Sequence, residues 1–141
     1  MHKNASTDMV KVIERCFTVS SIRVELAYLF GSQITGHAGK ASDVDIAVLM
    51  PDDMTRMERF NARLKLMGEL EKYLQKPIDL VVLNDVTSIF FRFVIISEGV
   101  RCFIPDRDVL LDYELRTMNE YIDFKPFLDE YNTKYVEKYS K

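Results

Sequence analysis

Gly31-Ser32, followed after ten residues by Asp43-Val44-Asp45, is the part of this chain whose residue types and spacing could do chemistry. Aspartates at i and i+2 of a strand point to the same side and lie about 6.5–7 Å apart along the chain. Two carboxylates held that way can share a pair of divalent cations roughly 3.5–4 Å apart, the arrangement used in phosphoryl and nucleotidyl transfer. Gly31 and Ser32 close an apolar run, residues 24–30, where a strand hands over to a possible helix start. Bare backbone N–H groups and a hydroxyl are available there for phosphate oxygens. A third carboxylate, Asp79, interrupts the apolar run of residues 78–83. An unpaired charge inside a sheet costs several kcal/mol, so Asp79 needs a partner or a metal. Beside Asp43 and Asp45 it would complete a three-carboxylate cluster; at a strand end in water it would need neither. Ser42, just before the pair, either positions a carboxylate or ends the loop. The chemistry this set points to is metal-dependent nucleotidyl transfer.

The elements that must position these residues read as α-β-β-α-β-α-β-α. Ser6 or Thr7 can cap a first helix reaching about Thr18, with Val10, Ile13 and Cys16-Phe17 as its stripe. Residues 24–30 and 43–50 read as strands, joined by a loop over 33–42 that lacks periodicity. Asp52 and Asp53 suit the first turn of a long helix with the stripe Met54, Met57, Phe60, Leu64, Met67, Leu70 and Leu74. A strand over 78–83 follows, then a helix over 86–97 capped by Asp85, with Ile89, Phe90, Phe93 and Val94 inward and Gly99 at its stop. Arg92 in that helix reads as a surface arginine or a phosphate contact. Residues 101–104 form a small edge strand, and 106–141 look helical with a break at Pro126. The class is α/β (α+β), a small mixed sheet flanked by helices.

With 141 residues, a single domain over 1–141 is expected, with a core at about 20–105 and a helical C-terminal segment, 106–141. Hydrophobic content of 48% and charged content of 29% fit a globular protein. No apolar stretch reaches the length of a membrane span, and no secretory signal opens the chain, so a cytoplasmic protein is expected. Cys16 and Cys102 lie far apart in apolar surroundings and read as buried free thiols. A net charge of −3 without a basic block speaks against long nucleic acid as a partner. The tail carries Tyr113, Tyr121, Phe124, Phe127, Tyr131, Tyr135 and Tyr139, good interface material or simple packing.

On Gly31-Ser32, the ten-residue interval, Asp43-Val44-Asp45 and Asp79, the chain resembles the minimal nucleotidyltransferases of the DNA polymerase beta-like superfamily. The resemblance covers about residues 24–104. It implies the polymerase beta-like fold, two Mg²⁺ ions held by Asp43, Asp45 and Asp79, and ATP as substrate, with Gly31, Ser32 and Ser42 on the nucleotide. Small members of this kind resemble the antitoxin partners of HEPN-family toxins, which implies transfer of AMP to a tyrosine of the toxin. Many relatives carry arginines just after the Gly-Ser, where this chain has Gln33, Ile34 and Thr35. His37 or Lys40 could replace that charge, although His37 lacks a companion at ligand spacing. Two other readings stand beside this one: an antitoxin that acts by binding alone, and transfer to a small hydroxyl compound of the aminoglycoside kind.

Overall fold

The computed structural model describes residues 7–31 and 43–139. Ser32, Gln33, Ile34, Thr35, His37, Lys40 and Ser42 lie outside the described residues, as do the side chains of Tyr135 and Tyr139. The elements run α1 (Thr7–Val19), β1 (Leu26–Phe30), β2 (Val44–Leu49), α2 (Arg56–Leu74), β3 (Ile78–Val82), a 3₁₀ turn (Leu83–Asp85), α3 (Ile89–Glu98), β4 (Val100–Phe103) and α4 (Arg107–Tyr139). This is the expected order.

The sheet order is β3-β2-β1-β4. Strand β1 pairs antiparallel with β2 and β4, while β2 and β3 run parallel with α2 as the crossover. Alternation divides the strands between two cores. Ala27, Leu29, Val44, Ile46, Val48 and Leu80 face α1 and α2. Leu26, Tyr28 and Ala47 face α3 and α4, where Ile95, Leu110 and Tyr113 cover them. Burying each Leu, Ile or Val among them contributes about 1.5–3 kcal/mol. The Tyr28 hydroxyl donates to Glu114 Oε2 at 2.7 Å, and Arg101 Nη2 donates to Glu114 Oε1 at 2.6 Å, tying α4 to the sheet. Cys16 and Cys102 are buried and free, and burial pushes both thiols up, Cys16 to about 11.

Several helical expectations need correction. Helix α2 starts at Arg56, after Asp52 and Asp53, because Thr55 and Glu58 form a capping box. Its buried face is Ala62, Leu66 and Leu70, so three of the seven expected stripe residues, Met57, Phe60 and Leu64, are on the surface, with Met57 67% exposed. Arg59 and Arg63 lie over the end of the sheet instead, bonded to Asp85 and to the Leu80 carbonyl. Helix α3 begins later than Asp85, at Ile89, because the Ser88 hydroxyl accepts from Phe91 N–H; its buried residues are Ile95 and Ile96, and Phe90 is half exposed. Arg92 is not a surface arginine: its side chain is 16% exposed and Nη1 donates to Glu120 Oε1 at 3.1 Å. Helix α4 continues through Pro126 without a break. The carbonyl of Ile122 loses its donor there, but Ile122 is exposed and water can take the bond.

Candidate active site

The parallel ladder sets Asp45 directly beside Asp79, and the antiparallel ladder sets Phe30 on the other side of Asp45. Partners in adjacent strands share a face. Phe30, Asp45 and Asp79 therefore form a row across β1, β2 and β3 on the side of the sheet that carries α3 and α4. Asp45 is half-buried and Asp79 exposed. Burial and the Asp79 charge, then a hydrogen bond with Asp79 and the Asp43 charge, raise the Asp45 carboxyl above its ordinary value.

Asp43 precedes the first residue of β2, so no ladder position holds it, although the Val44 N–H anchors the strand start on the Pro77 carbonyl at 2.9 Å. Its charge is felt at Asp45. Among the described residues, however, no three His, Cys, Asp or Glu side chains stand close enough to hold a metal ion. The structure thus brings Asp45 and Asp79 together and leaves Asp43 at the margin of the pair. The donors are hard carboxylate oxygens, the kind Mg²⁺ prefers, and the crowding that raises Asp45 is what a divalent cation would relieve.

Gly31 follows Phe30 with φ +79, a left-handed conformation that glycine adopts without strain. A Cβ added there would overlap Asp45 Oδ2 and stand 2.9 Å from its Cγ. The backbone thus lies against the carboxylate, an approach open only to glycine. Ser32 and Ser42, expected on the nucleotide, lie outside the described residues.

The row has an aromatic neighbour that sequence reasoning missed. The Phe30 ring meets Phe91 edge-on, centroids 5.9 Å apart, so the first turn of α3 stands next to the carboxylates. The signal available was Phe30 itself, the last apolar residue before the Gly-Ser. A larger cleft, about 680 Å³, sits at the other end of β2, where Leu49, Met50, Asn84 and Tyr113 line it. It does not include the aspartate row.

Comparison with known proteins bears on the same residues. The sequence profile described as polymerase beta, nucleotidyltransferase, matches residues 12–108. The protein adenylyltransferase MntA of Shewanella oneidensis is 30% identical over 99 residues, 70% of this chain and 67% of MntA. A chain in a crystal structure of a toxin–antitoxin with AMP-PNP superposes with a TM-score of 0.65 at 26% identity, covering 86% of this chain and 96% of that one. Another, from the tri-AMPylated Shewanella oneidensis HEPN toxin in complex with MNT antitoxin, gives 0.60 at 25% identity, covering 86% and 94%. Among the described residues no helix is long and apolar enough to cross a membrane. Since the matched span takes in every strand and all three aspartates, the chain belongs to the polymerase beta nucleotidyltransferase family.

Proposed function

We propose that this protein transfers AMP from ATP to a hydroxyl, a tyrosine by preference, of a HEPN-family toxin and so neutralises it as an antitoxin in the cytoplasm. The observation that carries the reading is the Asp45–Asp79 pair pressed against a left-handed Gly31. Its relatives supply the nucleotide and the acceptor: one is a protein adenylyltransferase, and another was solved beside an AMPylated HEPN toxin. The whole chain acts as one domain, with α4 its C-terminal segment.

Asp43, Asp45 and Asp79 would hold two Mg²⁺ ions. When bound, these offset the triphosphate charge and acidify the acceptor hydroxyl. Gly31 and Ser32 offer N–H groups and a hydroxyl to the β- and γ-phosphates, and Ser42 lies at the loop's return to the pair. Asp79, exposed at the start of β3, accepts the acceptor's proton. The acceptor oxygen then bonds to the α-phosphorus as the bond to the bridging oxygen breaks, and pyrophosphate leaves with that oxygen. AMP stays on the acceptor.

Incubation with labelled ATP, Mg²⁺ and the protein encoded beside its gene, the toxin on this reading, tests it. Label is expected on the toxin and is lost in the Asp43→Ala/Asp45→Ala double variant. Full protection of cells by the double variant would instead establish neutralisation by binding alone. Label on an aminoglycoside and none on the toxin would move the acceptor to small molecules.

A further inference from the structure

We infer that the cleft at the far end of β2 is a second ligand site, one that takes a small organic cation bearing neutral oxygen acceptors, an amino alcohol or amino sugar. The inference does not depend on the adenylyl-transfer reading. Leu49, which lines the cleft, stands four residues along β2 from Asp45, about 13 Å at roughly 3.3 Å per residue. The lining leaves out the aspartate row, so an occupant does not share that site. The space, about 680 Å³, is that of a small-molecule pocket.

The charges of the lining select the ligand. Three arginines reach the cleft, and each is already paired: Arg59 with Asp85 at 2.6 Å, Arg92 with Glu120 at 3.1 Å and Arg116 with Asp112 at 3.0 Å. Glu25, Asp52 and Asp108 line the same cleft and form no ion pair among the described residues. A phosphate finds no free guanidinium there, whereas an ammonium group finds carboxylates without counter-ions. Asp52 and Asp108 are exposed, so this charge sits at the margin. Deeper in, two polar groups lack partners. Tyr113 is only 7% exposed, and neither its hydroxyl nor Arg92 Nε has a hydrogen bond among the described residues. Thr117 stands near that hydroxyl but outside hydrogen-bond geometry. The charges of Arg92 and Arg116, both in the lining, act on the hydroxyl, which puts it on the cleft side of the ring. A buried donor without an acceptor is costly, and both groups can donate. A ligand oxygen can accept from them, and a neutral one does so without meeting repulsion from the acidic margin.

The test is calorimetric titration of the full chain in phosphate buffer at about 0.15 M ionic strength. The probes are 2-deoxystreptamine, a cyclitol with amino and hydroxyl groups, and spermidine, which carries amino groups alone. The cyclitol is expected to bind one site per chain with a Kd below about 1 mM. The double variant Asp52→Asn/Asp108→Asn should weaken it about tenfold or more, Tyr113→Phe about threefold or more, and Asp45→Asn less than about twofold. Tyr113→Phe keeps the ring that packs in the core, and the two asparagines replace exposed side chains, so melting curves should match wild type. Absence of binding, or binding that Asp45→Asn removes, overturns the inference. Spermidine binding as tightly as the cyclitol, with Tyr113→Phe silent, would reduce the cleft to an acidic surface and overturn it as well.

Discussion

The two ends of β2 are built on opposite electrostatic terms. At its start Asp45 lies against Asp79 with Asp43 near, and like charge raises the Asp45 carboxyl. At its far end the Asn84 side chain takes both backbone groups of Met50: Met50 N–H donates to Oδ1 at 2.9 Å, and Nδ2 donates to the Met50 carbonyl at 2.8 Å. Next to it Arg59 grips Asp85 through Nε at 3.0 Å and Nη2 at 2.6 Å. One end sets like charges side by side, and the other clasps the Met50 backbone and pairs Arg59 with Asp85. A strand held firmly at one end can carry an unfavourable arrangement at the other, which is where reactive sites tend to be found.

The largest effect expected from breaking this contrast is on transfer. Asp45→Asn removes a carboxylate from the proposed metal set, and several kcal/mol of transition-state stabilisation go with it, on the order of a thousandfold in kcat/KM. The same change removes like-charge repulsion, so Tm should hold or rise. Calorimetry and label transfer on one preparation check both; a fall in Tm alongside lost activity would show that the pair stabilises the fold after all. Asn84→Ala should do the reverse. It orphans both backbone groups of Met50, which is 1% exposed. The expected loss is about 1–3 kcal/mol in urea unfolding, with transfer per folded molecule within twofold of wild type.

How much of this was legible in the sequence follows the same division. The order of elements was, since alternating apolar periods of two and 3.6 residues mark strands and helices directly. The helix faces were less so. Leu66 and Met67, or Phe60 and Ala62, compete for the same core on hydropathy alone, and the sheet's shape decides among them. The capping pattern Thr55-Arg56-Met57-Glu58 stands in the sequence, yet Asp52-Asp53 obscures it by offering an equally acidic first turn. Asp43, Asp45 and Asp79 were legible as residue types at intervals. That Asp45 falls beside Asp79 depends on a parallel pairing and register that arise only once α2 crosses over. The Phe91 contact is likewise tertiary.

Gly31→Ala sharpens the comparison at the reactive end. The left-handed backbone costs an alanine about 1–2 kcal/mol. Its Cβ also strikes the Asp45 carboxylate and must push it off position. Transfer should drop about tenfold to a hundredfold, the range of misplacing a reacting group by an ångström. Stability should fall only by the backbone cost. Transfer within twofold of wild type would mean that Asp45 need not sit where the ladder puts it.

The smallest expected effect separates the two ends by pH. Arg59 holds the Asp85 carboxyl below its ordinary value, chiefly through their hydrogen bonds. A lowered carboxyl stabilises the fold above its unfolded value of about 3.9 and loses that stabilisation as pH falls through the folded value. Asp45 is raised, so the native state takes up its proton before the unfolded chain does. Its end therefore gains stability as pH falls from the raised value toward about 3.9. Acidification should relieve the aspartate row first and release Arg59 second. Metal-free urea melts between about pH 3 and 7 resolve the two limbs, because Asp45→Asn abolishes the early gain and Asp85→Asn the late loss. The Asp85 limb is below about 1 kcal/mol after solvent screening, since part of that carboxylate faces water. Identical curves for all three proteins would mean that the ends of β2 do not differ in charge balance, and the contrast would then rest on the Asn84 clasp alone.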